Sequence, residues 1–448
     1  RRSTMRQARF SSLLIRSLLA LLVGMPVIAL VLALQTRPRV ASPAPLDQAD
    51  LARVERLLLD ATPRSPSAAG QHEVAFSPEE LNLLLNYGLE LLELTPEWTG
   101  AVALADDQLR GQLSIEFLGQ YVPTYLNVET VLEVSDNGLQ LTRVTLGDLP
   151  IPPPLLQFTL DRLQANLLAT GNGIGDIQAI LANIDRVHIN PDHVEVSLLW
   201  DPALVERLGQ QAQMLLISGE DEERIVSYYE EISLIATAVP ADLGAVSLNT
   251  FLVPLFQSAL SRSLAGSDPV AENRTLLQTL AIYVNDEDIA RLLSPERAAE
   301  LTPAKFIEVR LQRRQDLAQH LVSIAAISAS AGAGFAELLS NTKEAYDARY
   351  RSGFSFSDLT ANTVGVLIAD YATGDAQSAR LLQERMGALS DESDYMPQVG
   401  NNRDGISESD FSAIYVDRNS PEYLDRLAEI EALIAARPLF QGMPAPGF

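Results

Sequence analysis

The sequence predicts an α+β protein: an N-terminal transmembrane helix, an antiparallel-sheet module, then a mostly α-helical module. Three observations carry this. Leu18–Leu34 is an almost unbroken apolar run preceded by arginines. From Gly100 to Trp200 the apolar residues recur with period two between turn signals, as strands require. From Asp201 onward they recur at helical spacing instead.

The run reads L-L-A-L-L-V-G-M-P-V-I-A-L-V-L-A-L. It is about long enough to span a bilayer and exceeds the usual signal-peptide core of roughly 7–15 residues. Arg1, Arg2, Arg6, Arg9 and Arg16 precede it, so residues 1–17 are expected as a cytoplasmic tail and 18–35 as the membrane helix. Everything after Gln35 is then outside the cytoplasm. The expected location is the bacterial inner membrane, with the bulk of the chain periplasmic. A cleaved signal, with V-A-S at Val40–Ser42 as a weak cleavage site, is the alternative.

A length of 448 residues suggests two or three domains with ample core. The net charge is −25, from 58 acidic and 33 basic residues. Such a surface repels nucleic acid and bare anionic lipid. Lys305 and Lys343 are the only lysines, a usage that fits a GC-rich bacterial genome. Without cysteine there is no disulfide, thiolate nucleophile or zinc–thiolate site.

Residues 36–70 are expected as a linker with a short helix. Thr36–Asp47 is rich in Pro and Ala and reads as a stiff spacer. Gln48–Leu59 is the helix, and Asp60–Gly70 a second linker that leaves His72 solvated. Residues 71–200 then form the α+β module. Ser77, Pro78 and Glu80 spell a capping box, with Phe76 and Leu81 as its hydrophobic staple. Leu81, Leu84, Leu85, Leu89 and Leu92 make the apolar stripe of that helix. Val102–Leu104 and Leu113–Phe117 read as strands around an Asp106–Asp107 turn. In the next strand Leu126, Val128, Leu132 and Val134 face one way, and Asn127, Glu129 and Glu133 the other. Asn137-Gly138 turns the chain into Leu139–Leu146. Pro150–Pro154 breaks the sheet before a helix, Leu155–Ala169. Val187–Ile189 and Val194–Leu199 make a last hairpin. The segments F-S-P-E-E-L-N-L-L-L-N and V-T-L-G-D-L-P-I-P resemble the exported, membrane-anchored YpmS-like bacterial proteins, over roughly 130 residues.

Residues 201–448 are expected as the helical module. Its helices start at Asp201-Pro202, at Asp221 (carrying Tyr228 and Tyr229, read as half-buried), at Leu248, Asn273, Asp286 and Ser420-Pro421. The chemistry-bearing stretch is Asp316–Gly365. Asp316 and His320 are four apart and share a helix face. Lys343, Glu344 and Asp347 again share one. Ser357 or Asp358 is expected to cap the next helix, with Asn362 one turn on and Gly365 at a close contact.

D-L-A-Q-H, K-E-A-Y-D and F-S-F-S-D-L-T-A-N-T-V-G resemble the pattern of the YfiM-like lipoproteins and of the membrane-embedded VanZ-like family, over residues 316–365. Leu317 stands where those families often have Lys, so no role for that Lys carries over. The resemblance implies an envelope protein and little defined chemistry.

Two readings of the cluster stand open. Asp316, His320, Glu344, Asp347 and Asp358 are the catalytic candidates, and Asp316, His320 and Glu344 the metal candidates. One histidine among carboxylates can bind a divalent ion or share a proton. The other reading, which we favour, is a set of buried ion pairs and caps holding helices in register. No cofactor is identified. Gly171–Gly175 imitates a dinucleotide loop but follows a helix. Gly400–Phe411 lacks the carboxylates of an EF-hand at its first and last positions. His188 and His193 read as ordinary strand-end residues. The expected function is a membrane-anchored accessory protein of the envelope with lipid or protein partners and no nucleic acid. The alternative is an envelope hydrolase.

Overall fold

The computed structural model describes residues 32–44, 46, 48–61, 63, 69–91, 98–117, 124–135, 138–159, 162, 184–201, 219–331, 353–400, 402–416 and 420–443. The protein is α+β, with antiparallel sheets followed by a helical C-terminal part. It divides into two compact units. One takes Ser67–Pro202 with the residues up to Leu46; the other takes Asp47–Pro66 with Ala203–Phe448. Among the described residues no helix is long and apolar enough to cross a membrane. Leu18–Val31, most of the expected span, lies outside them. Its expected end, Leu34–Gln35, is a strand, β1, rather than helix. Helix α1, Gln48–Ala61, stands where the short helix was expected and is grouped with the second unit.

The first unit holds β2 (Gly70–Phe76), α2 (Pro78–Leu91), β3 (Trp98–Ala105), β4 (Gln108–Glu116), β5 (Tyr125–Ser135), β6 (Gly138–Leu146), β7 (Leu149–Pro150), β8 (Ile184–Ile189) and β9 (Val194–Trp200). One sheet was expected and two are present. The larger runs β3-β4-β5-β6-β7 with β1 on β5; the smaller runs β2-β9-β8. The second sheet exists because Gly70–Phe76, where no strand was expected between the linker and the capped helix, pairs with β9 along its whole length. His72 is therefore not solvated but half-buried, its ring edge-on to Trp200 at 6.2 Å. The capping box forms as the sequence spells it: Ser77 N–H donates to Glu80 Oε2 at 2.8 Å, and Glu80 N–H to Ser77 Oγ at 3.2 Å. From α2, Asn82 reaches the edge strand β3, accepting from Val102 N–H and donating to Val102 O. A sheet edge is thereby satisfied by a side chain. Residues 153–159 are helical; the rest of the helix expected to run to Ala169 lies largely outside the described residues.

The first part of the segment read as a spacer, through Val40, is bonded to the sheet. Thr99, Ser114 and Asn127 lie in register across β3, β4 and β5, and all are buried. Asn127 was placed on an outward face; it is 1 % exposed because residues 35–40 cross over it. Arg39 N–H donates to Ser114 Oγ and Asn127 Oδ1, each at 3.0 Å, and Val40 N–H to Ser114 Oγ at 3.1 Å. Asn127 Nδ2 donates to Gln35 Oε1 and Arg37 O, and Thr99 Oγ1 to Val40 O. A buried polar row thus finds its partners in a Pro-containing strap whose backbone has no ladder of its own. The Arg39 guanidinium closes the strap on Gly147 O, Glu129 and Asp148. Gly147 has φ +58, and a Cβ there would lie 2.4 Å from the carbonyl oxygens of Leu32 and Ala33. Only glycine lets the strap pass.

The second unit continues with α3 (Gly219–Ala238), β10 (Ala245–Ser247), α4 (Asn249–Leu264), α5 (Pro269–Val284), β11 (Glu308–Arg310), α6 (Gln315–Ala331), α7 (Phe356–Thr373), α8 (Ala376–Met386), α9 (Glu408–Tyr415) and α10 (Pro421–Ala435). Its main core cluster runs from Tyr228 to Phe440, and a smaller one gathers Ile225, Tyr229, Ile282 and Leu292. α5 is buried along nearly its whole length and forms the axis of the unit. Tyr228 and Tyr229 are buried, not half-exposed. Asp286–Leu293 is not an α-helix: Asp286 turns with φ 56, and only Ile289–Leu292 winds, as a 3-10 turn capped by Asp288. Ser420 caps α10 with Pro421 at its first position.

Candidate functional site

The site begins at a strained turn. β11 pairs in parallel with β10, and then Leu311 and Arg314 exchange both backbone hydrogen bonds at 2.9 Å. The residues between them, Gln312 and Arg313, both have positive φ, 50 and 69. Two-residue turns of this hand favour Asn and Gly, so Gln-Arg sits there at a cost. The neighbourhood holds it. Glu392 Oε2 accepts from Gln312 N–H at 2.7 Å, and the Gln312 side chain donates to Pro397 O and accepts from Val399 N–H. Glu392 also lines an open groove of about 610 Å³ with Ser247, Asn249 and Asp391.

The turn delivers Arg314 to the first turns of two helices. Its Nε and Nη2 grip Asp316 on α6 at 3.1 and 2.6 Å. Nη2 also reaches Asp358 Oδ1 on α7 at 3.2 Å, and Nη1 reaches Asp404 Oδ2 at 3.0 Å. Asp404 is held in turn by Ser355 Oγ–H and Ser357 N–H, both at 3.0 Å. The antiparallel bridge Phe354–Ile406 brings its loop there. Ser355, not Ser357 or Asp358, caps α7: its backbone is extended and its Oγ accepts from Asp358 N–H. Ser357 and Asp358 are already inside the helix.

His320 sits on the inner side of this network with 13 % of its side chain exposed. Its Nδ1 lies 3.1 Å from Asn362 Oδ1, and its Nε2 lies 3.4 Å from Asp358 Oδ2. Asp358 is therefore shared between an arginine and a histidine. The main partner of Asp316 is Arg314, whose planar fork a carboxylate fills with two bonds; His320 adds a weaker electrostatic pull on the same carboxylate. The helices meet closely behind the site. A Cβ on Gly365 would lie 2.5 Å from Leu321 O, which is the close contact expected there.

The charges follow from these contacts. Hydrogen bonds from Arg314 hold the Asp316 carboxyl below the usual carboxylate range, against a weaker upward push from burial. Burial pushes Asp404 upward too, but hydrogen bonds from Ser357, Arg314 and Ser355 outweigh it and leave it low. The same bonds, Asp316 first, raise Arg314 further above its ordinary value.

Of the sequence candidates, Asp316, His320 and Asp358 come together. Glu344 and Asp347, with Lys343, lie outside the described residues. Among the described residues no three His, Asp or Glu are arranged to hold a metal ion. Sequence reading missed Arg314 and Asp404. Arg314 is signalled only by R-R-Q-D, two residues before Asp316. Asp404 lay in the loop dismissed as a failed calcium site. Near the hairpin expected to hold ordinary histidines, His193 Nε2 lies 3.0 Å from Glu195 Oε1.

A second polar centre was not anticipated. Glu272 on α5 is 2 % exposed. It accepts from Tyr228 Oη–H and Ser267 Oγ–H, with Arg224 at 3.5 Å and Arg262 at 3.9 Å. Arg262 also lies over the Tyr228 ring at 4.4 Å. Burial, and then the Glu272 carboxylate, push the Tyr228 hydroxyl upward. This is a buried charge with cations and donors around it, as folding demands.

The chain matches no family model, no curated protein and no solved structure.

Proposed function

We propose that this protein is a membrane-anchored accessory of the bacterial envelope that works by contact with protein or lipid rather than by catalysis. In this reading the apolar run that starts at Leu18 and stops short of β1 is the anchor, and both units stand in the periplasm. The supporting observation is the engagement of the Asp316 cluster with itself. Arg314 bonds three carboxylates at once, and both ring nitrogens of His320 have partners. A general base needs a free lone pair aimed at substrate, and a metal needs carboxylates not already neutralised. Here the Arg314 guanidinium takes the place a metal ion would fill. The same groups tie β11, α6, α7 and the 404 loop into one register, which is a structural task. A hydrolase working through Asp316, His320 and Glu344 would first have to pull Asp316 off Arg314.

Thermal melting decides between the readings. The wild-type chain should show the same melting temperature with and without added Zn²⁺, Mn²⁺ or Mg²⁺. A metal-dependent rise that disappears in His320→Ala would put the hydrolase first. Location has its own test. Protein should stay in the membrane fraction after a carbonate wash, and reporter fusions placed after residue 70 should be active outside the cytoplasm. Release of a shortened soluble form would show a cleaved signal instead.

A further inference from the structure

Resting on the anchor reading of the run that starts at Leu18, we propose that the β6–β7 edge of the sheet unit lies on the lipid headgroup layer, with Leu155 and Phe158 inserted into it.

The first reason is length. The strap leaves no spacer between the apolar run and the sheet. Leu32 O accepts from Asp148 N–H at 2.7 Å, and Leu34–Gln35 pair with Leu126 and Tyr125. The last residues of the run therefore already belong to the sheet unit. An anchor that runs up to Leu32 therefore leaves no free chain with which to hold the sheet away from the surface.

The second reason is what the edge presents. Leu32 touches the β6–β7 turn at Asp148, and β7 leads at once into residues 153–159. There Leu155 is 51 % and Phe158 65 % exposed, and Leu32 itself is 38 % exposed. An exposed leucine and phenylalanine on a short helix beside an anchor suit the interface, where apolar side chains sink ~5–10 Å into the headgroup boundary. Charge points the same way. Residues 138–162 contain Arg143 and Arg162 against Asp148 and Asp161, a local balance of zero in a chain of net charge −25. This edge escapes the repulsion from anionic lipid that the rest of the surface feels.

The chain has no cysteine, so one introduced thiol takes a label uniquely. Full-length Phe158→Cys and, separately, Leu155→Cys would carry an environment-sensitive dye in vesicles of phosphatidylcholine and phosphatidylglycerol. Glu195→Cys on β9, with 56 % of its side chain exposed, is the comparison position. Expected is a blue-shifted emission at 158 and 155, quenched by lipid spin-labelled near the headgroup, with the 195 label unquenched. Protein that resists a carbonate wash while both edge labels stay in water would overturn the proposal and leave the anchor standing. Equal quenching at 195 would overturn it as well, by showing adsorption without orientation. Release by the wash would overturn the anchor reading itself.

Discussion

Arg314 is the residue whose loss the Asp316 cluster would feel most. Arg314→Ala leaves Asp316, Asp358 and Asp404 facing one another without a cation. Asp358 is the most buried of the three, so the loss exceeds that of a surface pair; roughly 1–3 kcal/mol is expected, read by urea unfolding. The pH dependence has a definite sign. Asp316 and Asp404 are depressed in the folded state. The unfolded chain then binds more protons, so this stability is fully present above the unfolded carboxylate pKa of about 4 and fades as pH falls below it. In Arg314→Ala the acid loss should be shallower. If the variant matches wild type at both pH 7 and pH 3, the network is ornamental. His320→Ala should cost roughly 1–3 kcal/mol, as a buried hydrogen-bonded group does. Its coupling energy should be larger with Asn362→Ala than with Asp316→Ala, because the ring bonds the former side chain. Asp370 behaves oppositely. Burial pushes its pKa up to about 6. Its contribution is complete below the unfolded value and is lost as pH rises through about 6. Asp370→Asn should therefore stabilise the protein at pH 7 by roughly 1 kcal/mol once solvent screening is allowed for, and change nothing at pH 4.

At the scale of elements, the crossing of α6 and α7 places Asp316, His320, Asp358 and Asn362 on facing helices, and Gly365 sets its closeness. Gly365→Ala drives a methyl against the Leu321 carbonyl, which is backbone and cannot swing away. Overpacking of this kind costs about 1–3 kcal/mol. The same substitution at Gly88 in α2 meets nothing within 4 Å, so there alanine should gain about 0.5–1 kcal/mol through helix propensity. Denaturant midpoints moving the same way for both would refute the close-contact account. These elements were legible to different depths. The helix at Ser77 and the hairpins of β5–β6 and β8–β9 could be read because capping and turn chemistry are local. Gly365 could be read because glycine amid a buried helical stripe has few other reasons. Arg314 and Asp404 could not. Their meeting depends on a turn formed without Asn or Gly and on a bridge between residues 354 and 406. Neither leaves a periodic trace in sequence.

Across the whole molecule, the least legible feature is the strap. Thr36–Asp47 has the composition of a free spacer, and composition reports what a segment does when nothing covers it. Here the sheet face supplies the reason to fold. Thr99, Ser114 and Asn127 each look like ordinary strand polars, and only their register reveals a row that needs partners. The unit boundary follows from this. A fragment from Gly70 to Pro202 contains every strand of both sheets except β1, but it bares that row and leaves β5 paired only to β4 at Leu126 and Tyr125. A fragment from Leu32 to Pro202 keeps the strap. Each lost hydrogen bond is worth about 1 kcal/mol net, since water can replace part of it once the face is open. The longer fragment should therefore unfold later in urea, by a few kcal/mol in total. Arg39→Ala within it should remove part of that advantage, because the guanidinium closes the strap on Gly147, Glu129 and Asp148. Equal stability of the two fragments would mean that the strap lies on the sheet without holding it. The short tether to the membrane would then fall with it, since only a bonded strap fixes the distance between the apolar run and the β6–β7 edge.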